Sequence, residues 1–381
     1  MLLLAHTKMR LKAANPVNSF FNPVNSGKNS GKKLFTAILL LHIIFSITFG
    51  SMTAKNIALM AGGYTGEYEV SINSAGNIAA ELDKEKYHVY TILVNRSNWF
   101  YVSPEGENIE VDKNDFSINV AGEKIKFDAA FITIHGTPGE DGKMQGYLDM
   151  LGIPYNNCDA ATSALTMNKA YTKAIVNGIK GLYMAGSVQV FKRDQEIIGA
   201  QVQYLKLPLF IKPNNGGSSV GMSKVNAKEA LPEALEKAFA EDEQVLVEEF
   251  VKGREFSIGI VRLDGEILVL PATEIISSKE FFDYEAKYTP GVSHEITPAD
   301  LSEAQNNRIK SIVKEAYRVL NCKGMTRVDF ILQEGTDDFY FIEINTTPGQ
   351  SANSLIPQQV RAAGLNLGEF YGKLIEEAIK V

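Results

Sequence analysis

Two alternating runs hold the residues best suited to chemistry. In Met325-Thr326-Arg327-Val328-Asp329-Phe330-Ile331-Leu332, the apolar Val328, Phe330 and Leu332 alternate with Arg327 and Asp329. In Phe341-Ile342-Glu343-Ile344-Asn345, the apolar Ile342 and Ile344 alternate with Glu343 and Asn345. A period of two puts Arg327 and Asp329 on one strand face, and Glu343 and Asn345 likewise. The segment Glu334-Gly335-Thr336-Asp337-Asp338 between them reads as a turn. A hairpin folded about Thr336 sets Asp329 opposite Glu343, so two carboxylates and an amide oxygen meet on one face. Such oxygen donors suit Mg²⁺, above all when substrate phosphates complete the shell. A hairpin at a sheet edge with a solvated polar face shows the same alternation. The turn Thr346-Thr347-Pro348-Gly349 that follows favours a site, because its backbone N–H groups can face an anion or a developing oxyanion.

A second signal is Lys212-Pro213-Asn214-Asn215-Gly216-Gly217-Ser218-Ser219-Val220-Gly221, between two strand-like runs. Glycines let the backbone approach a phosphate, and hydroxyls add donors. No GxxxxGK[ST] occurs, so this is not a Walker A loop. With Lys212 before it and the carboxylate pair downstream, a grip on a nucleoside triphosphate is the better reading than a flexible turn. Gln244–Val251 reads as a strand running into a connector, whose backbone can meet an adenine edge. Glu255, just beyond, is suited to a ribose hydroxyl pair.

The elements that position these groups fall into blocks. From 56 to about 157, strands and helices alternate: Ile57–Ala61, a helix carrying Ile72, Ala75, Ala79 and Leu82, then strands Tyr87–Val94 and Ala129–His135. That order predicts a parallel sheet covered by helices, with a hairpin-rich insertion over 98–127. A smaller α+β block spans 158–247. Long strands at Glu255–Leu263, Glu266–Ala272, Met325–Gln333 and Phe339–Asn345 fill 248–381, with a helix over about 300–320 between the pairs. The expected divisions are therefore 52–157, 158–247 and 248–381.

Residues 1–51 stand apart. They hold six basic and no acidic residues, whereas the whole chain of 381 residues has a formal net charge of −7. The acidic balance argues against a general nucleic-acid binder. Residues 34–49 are almost wholly apolar, too short to span a bilayer and poorly followed by a cleavage site. Two readings stay open at this point: a signal or anchor, or a start codon misread upstream of Met52. Cys158 and Cys322 are the two cysteines, with no CxxC, so neither a disulfide framework nor a structural zinc site is expected. Both read as small buried residues in a reducing compartment.

These motifs, taken in order, resemble one family. His135-Gly136-Thr137-Pro138-Gly139-Glu140-Asp141-Gly142, with Gln145-Gly146 and Leu148, resembles the first signature of D-alanine–D-alanine ligases. Arg327-Val328-Asp329-Phe330 and Glu343-Ile344-Asn345-Thr346-Thr347-Pro348-Gly349 resemble the second. Gly62-Gly63-Tyr64-Thr65-Gly66-Glu67, Met167-Asn168-Lys169, the Lys212 loop and Phe282–Tyr288 extend the match over about 56–381. The resemblance implies an ATP-grasp fold, of mixed α/β and α+β class, with an N-terminal parallel-sheet α/β domain. It implies ATP-dependent ligation of two D-alanines through an acyl phosphate, for peptidoglycan precursor synthesis. Alternatives are a ligase with D-lactate as acceptor, or a non-catalytic nucleotide-binding module.

By the same resemblance, Asp329, Glu343 and Asn345 bind two Mg²⁺ or Mn²⁺ ions, and Lys169 and Lys212 hold ATP phosphates. Glu248, the backbone of Val251, and Glu255 hold the nucleoside. Glu67 takes the ammonium of the first D-alanine, near Ser218 and Tyr288. Arg327 and the N–H of Gly349 face the tetrahedral oxyanion. Ser354 holds the carboxylate of the second D-alanine, and His135 lines the substrate end. Lys287, on the ATP side, and Tyr288 lie on a loop expected to close. Simpler roles exist for several: Glu67 favouring a helix N-terminus, Ser354 capping a turn, His135 satisfied at a strand end. One departure is Glu249, where members of the family commonly carry Lys. Tyr288 favours D-alanine over D-lactate. A homodimer in the cytoplasm is implied, with no membrane or nucleic acid as partner of the body. The need for ATP favours the misread start over an exported protein.

Overall fold

The computed structural model describes residues 54–217, 220–277 and 293–380. The N-terminal extension, Ser218, Lys287 and Tyr288 lie outside these residues, and so do the expectations placed on them. The first strand, β1 (Lys55–Gly62), is an apolar run buried on both faces. That is the pattern of a parallel strand covered on two sides. It is followed by α1 (Tyr68–Glu81), β2 (Tyr87–Val94), β3 (Trp99–Val102), β4 (Asn108–Glu110), β5 (Ile118–Val120), β6 (Glu123–Ile125), β7 (Ala129–Ile132) and α2 (Lys143–Leu151). The sheet order is β4-β3-β2-β1-β7, with β1 parallel to both β2 and β7. The expected parallel sheet is thus its core. The expected insertion over 98–127 is partly inside it, because β3 and β4 extend the sheet antiparallel. Only a four-residue link joins β2 to β3, too short for a parallel crossover. Asn95 folds that link by accepting from the N–H groups of Ser97 and Asn98.

Gly62 ends β1 with a φ of +98°, and a Cβ there would stand 2.6 Å from the Val94 carbonyl oxygen. Glycine therefore lets β1 turn sharply beside β2.

Two helices, α3 (Ala160–Met167) and α4 (Lys169–Val176), lead through β8 (Leu182–Tyr183) to β9 (Ser187–Phe191), α5 (Ile198–Val202), β10 (Leu209–Pro213), β11 (Ser223–Val225), α6 (Leu231–Phe239) and β12 (Gln244–Glu249). The central sheet is antiparallel in the order β11-β10-β12-β9, with its own core of Val190, Ile211, Ala238 and Val245 among others. Strand β12 carries this sheet two residues past 247.

The remaining elements are β13 (Gly253–Leu263), β14 (Glu266–Val269), β15 (Thr273–Ser277), β16 (Ser293–Ile296), α7 (Glu303–Val319), β17 (Met325–Gln333), β18 (Phe339–Asn345), α8 (Leu355–Ala362) and α9 (Leu367–Ile379). The helix α7 starts at a capping box between Ser302 and Gln305. Strand order is β16-β15-β13-β17-β18-β8, with β14 paired to β13. The β17–β18 hairpin is therefore flanked on both sides rather than exposed at an edge. One apolar cluster joins the first sheet, α1 and α9 to Val261, Met325, Ile356 and Val360. Gly324 adds a close weld: with φ +59°, its Cβ would fall 1.8 Å from the Asn156 carbonyl oxygen. Cys158 and Cys322 are both buried, as expected.

Candidate active site

Asp329 faces Glu343 across the hairpin, as the alternation predicts. The alternation fails at one place. Phe339, Phe341 and Ile344 are buried, but Ile342 leaves the apolar face and lines a cavity. A β-bulge here lets two residues of β18 oppose one of β17.

Arg327 lies beside Asp329 on the same face. Its Nε donates to Asp329 Oδ1 at 3.0 Å and its Nη2 to Oδ2 at 2.8 Å. Ser257 of β13 donates to Oδ1 at 2.5 Å. Burial works against the guanidinium charge, but Asp329 outweighs it and raises the Arg327 pKa above the ordinary value.

The turn after β18 is fixed from several directions. Thr347 N–H donates to Asn345 Oδ1 at 3.0 Å, and Asn157 Nδ2 donates to Thr347 Oγ1 at 2.8 Å. Gln350 N–H donates to Ser74 of α1 at 3.0 Å, and Asn77 of α1 donates back to the Gln350 carbonyl at 2.8 Å. His135 places Nδ1 2.7 Å from the Thr347 carbonyl, so that nitrogen carries the proton and Nε2 is left as an acceptor without a hydrogen-bond partner. Burial pushes the His135 pKa down, towards the neutral ring. Gly349 is thus held on a preset turn.

Two lysines enter from other segments. Asn168 caps α4 by accepting from Tyr171 N–H, and Asn214 of the glycine loop ties down the same helix start by accepting from the N–H groups of Lys169 and Ala170. This sets Lys169, whose Nζ lies 2.5 Å from the Gly216 carbonyl and 3.1 Å from Glu343. Lys212, at the end of β10, reaches Glu248 of β12 at 2.5 Å. The other carboxylate oxygen of Glu248 takes Lys173 of α4. Burial alone would raise the Glu248 pKa, but the two lysines outweigh it and hold it down to about 2.

Lys173 has no counterpart among the sequence-derived candidates. Neither does Glu140, which accepts from Gly136 N–H at 3.0 Å and shares the cavity wall. Burial, aided by Glu67 and Glu343, pushes its carboxyl up to about 7.

Apart from Lys173, the charged groups described above line one cavity of about 560 Å³. Every candidate residue within the described set is on its wall: Glu67, His135, Lys169, Lys212, Glu248, Val251, Glu255, Arg327, Asp329, Glu343, Asn345, Gly349 and Ser354. Glu67 occupies the N-cap of α1, which starts at Tyr68, yet its side chain makes no capping bond. Ser354 occupies the N-cap of α8, again without capping, and its Oγ sits 2.7 Å from Ser351 Oγ. Ser354 thus caps no helix N–H with its side chain, whereas Glu67 stands where its charge favours the helix N-terminus without a capping bond. Glu249, the departure noted above, accepts from Lys206 N–H at 2.9 Å and so fastens the approach to β10.

Among the described residues no cluster of three or more His, Cys, Asp or Glu could hold a metal by itself. Asp329, Glu343 and Asn345 offer fewer ligands than an all-protein cage needs. They fit a hard divalent ion that keeps phosphate oxygens and water in its shell, because carboxylate oxygens retain further lone pairs. Among the described residues no helix is long and apolar enough to cross a membrane.

Comparison with known proteins finds matches over most of the chain. Residues 56–158 match the family model "D-ala D-ala ligase N-terminus", and 182–377 match "D-ala D-ala ligase C-terminus". A D-alanine–D-alanine ligase of Phocaeicola vulgatus is 45% identical over 323 residues, covering 84% of this chain and 98% of the relative. Its counterpart in Flavobacterium johnsoniae is 44% identical over 322 residues, with the same coverage. Among solved structures, the VanG D-Ala:D-Ser ligase of Enterococcus faecalis superposes with a TM-score of 0.77 at 32% identity, covering 85% of this chain and 99% of that one. D-alanyl-alanine synthetase A of Vibrio cholerae gives 0.78 at 28% identity, over 87% and 100%.

Proposed function

The chain belongs to the D-alanine–D-alanine ligase family, and from that premise we propose that it joins two D-alanines at the expense of ATP. The observation that carries the reading is the convergence of Lys169, Lys212, the Asp329–Glu343 pair, Arg327 and Gly349 on one cavity from separate segments of chain.

In this reading the first D-alanine carboxylate attacks the γ-phosphorus of ATP, the bond to ADP breaks, and an acyl phosphate forms. The amino group of the second D-alanine, having lost a proton, attacks the activated carbonyl. The tetrahedral adduct collapses to dipeptide and inorganic phosphate. Lys169 and Lys212 offset phosphate charge, and Glu67 takes the ammonium of the first D-alanine. Arg327 and the Gly349 N–H stabilise the oxyanion, and preorganised donors of this kind are commonly worth about 3–4 kcal/mol of barrier each. Arg327 is suited to the task because Asp329 fixes its plane before substrate arrives. Ser354 takes the carboxylate of the second D-alanine, and Glu248, the Val251 backbone and Glu255 hold the nucleoside. Ser218, Lys287 and Tyr288 keep the roles that the resemblance implies. Asp329, Glu343 and Asn345 would hold Mg²⁺, or Mn²⁺, as two ions that neutralise phosphate oxygens. We read the working protein as a cytoplasmic homodimer, since ATP must be at hand and the family supports that assembly.

The test is phosphate release by the full chain with ATP, Mg²⁺ and D-alanine, with the product identified by mass. L-alanine alone, and D-alanine with D-lactate or D-serine, run alongside. Release that needs only D-alanine and yields the dipeptide supports the proposal. Release only with D-lactate or D-serine moves the acceptor, and ATP binding without turnover overturns catalysis.

A further inference from the structure

Three buried charges form a chain behind the cavity: Lys173, Glu248 and Lys212, which are 5%, 7% and 4% exposed. Glu248 gives one carboxylate oxygen to each lysine. Lys212 and Glu248 reach the cavity wall, whereas Lys173 is not part of it. The group carries a net charge of +1, and its spare positive charge stands next to the glycine loop.

Consider the same place without Lys173. Lys212 and Glu248 would then form a closed, buried pair. Separating such a pair leaves an uncompensated charge in a poorly solvated place, which is strongly unfavourable. A phosphate arriving at Lys212 would compete directly with Glu248. With Lys173 present, Glu248 keeps a partner whichever way Lys212 turns. Helix α4 delivers this second cation because Lys169 and Lys173 are one turn apart. The first serves Gly216 and Glu343 on the wall, and the second serves Glu248 behind it.

We infer that Lys173 is a positioning residue that retains Glu248 and so releases Lys212 to the phosphates of the nucleotide. This rests on the ATP-binding reading of the site. Burial drives the Lys173 pKa down while Glu248 opposes the fall, so a lysine here carries a desolvation penalty that an apolar side chain in the same space would avoid.

The test measures binding of adenosine and of ATP with Mg²⁺ to the full chain by calorimetry. The ratio of the two dissociation constants isolates the contribution of the phosphates. Lys173→Met should shrink that ratio about 10- to 100-fold, the scale of about 1.4–2.8 kcal/mol. Adding Glu248→Gln to Lys173→Met should restore the ratio to within about threefold of Glu248→Gln alone, because Lys212 no longer has an anion to retain it. A role in packing alone predicts no such restoration. An unchanged ratio in Lys173→Met, or a double variant no better than Lys173→Met, overturns the inference. Should Lys173→Met fail to fold, the comparison of Glu248→Gln with the double variant decides, since a further fall in the ratio there also overturns it. A wild-type chain that binds ATP no better than adenosine would instead sink the nucleotide reading, which separates the two failures.

Discussion

Asp329→Asn should weaken the fold far more than the facing Glu343→Gln, although both should stop turnover. Asp329 is buried, and its two oxygens match two nitrogens of Arg327 while Ser257 adds a third donor. An asparagine offers one oxygen. If that oxygen stays against Arg327 Nε and Ser257, the new NH₂ stands where an acceptor lay 2.8 Å from Nη2. If the amide flips, the NH₂ meets Nε and Ser257 instead. Neither orientation satisfies the guanidinium, and a buried charge that loses its partner typically costs about 3–5 kcal/mol. Glu343 is different, because its side chain is 27% exposed, so water reaches its side of the pair with Lys169. A pair of that kind is worth about 1 kcal/mol or less.

Unfolding entropy near roughly 2.1 cal/mol/K per residue converts 1 kcal/mol into about 1.5 °C for a folded unit of roughly 330 residues. Thermal unfolding of the full chain, without metal or nucleotide, should therefore show a fall of about 4–7 °C for Asp329→Asn. Glu343→Gln should shift by about 2 °C or less. Equal midpoints for the two variants, or an Asp329→Asn midpoint at or above that of the wild type, would refute the claim that Asp329 holds Arg327 in the resting protein.

Other consequences concern the walls around this pair. The folded Glu140 carboxyl lies near 7 against an ordinary 4.5, so its favourable contribution is complete below about pH 4.5 and is lost as pH rises through 7. Glu140→Gln should therefore gain stability over the wild type between pH 5 and pH 8, by up to roughly 3 kcal/mol, and equal pH dependence in denaturant titrations would contradict this. Asn157→Ala removes the donor to Thr347 Oγ1 and the Thr346 carbonyl. It should lower kcat about tenfold, at a stability cost of about 1–3 kcal/mol, with the KM for ATP little changed in steady-state assays. Gly324→Ala forces a Cβ onto the Asn156 carbonyl and should destabilise the chain by about 3 kcal/mol or more, read as a lower urea midpoint.

What the sequence reveals depends on how local the cause is. Strands β2, β17 and β18 are legible to the residue, because alternation and turn signals lie within each run. The pairing of β3 and β4 with the first sheet depends on a short link whose fold is set by one asparagine, which composition does not reveal. Lys173 and Glu140 are harder still. A lysine four residues after Lys169 reads as one more solvated charge on a helix, and a glutamate inside a glycine-rich signature reads as part of a turn. Only the tertiary approach of Glu248 to one, and burial beside Glu67 and Glu343 for the other, gives them their character.

The Asp329–Glu343 pairing shows how a correct expectation can have a different cause. Folding the hairpin about Thr336 places these residues opposite each other, but the observed turn is not centred there. From Leu332 to Phe330 the partners are Phe339, Tyr340 and Phe341, a register one residue short of that symmetry. Continued without interruption, it would set Asp329 against Ile342 and leave Glu343 with Val328, whose side chain points to the other face. The bulge at Ile342 inserts the missing residue and brings Glu343 back to Asp329 and Asn345 to Arg327. The irregularity is thus what assembles the oxygen donors, and it also turns Ile342 from the core to the cavity wall. Deleting Ile342 should therefore remove the bulge and still leave Glu343 opposite Asp329, because Glu343 then follows Phe341 directly in a regular ladder, so a folded deletion variant should keep measurable turnover. Loss of turnover in a folded deletion variant would show that the bulge itself, or Ile342 on the cavity wall, is required beyond the facing carboxylates.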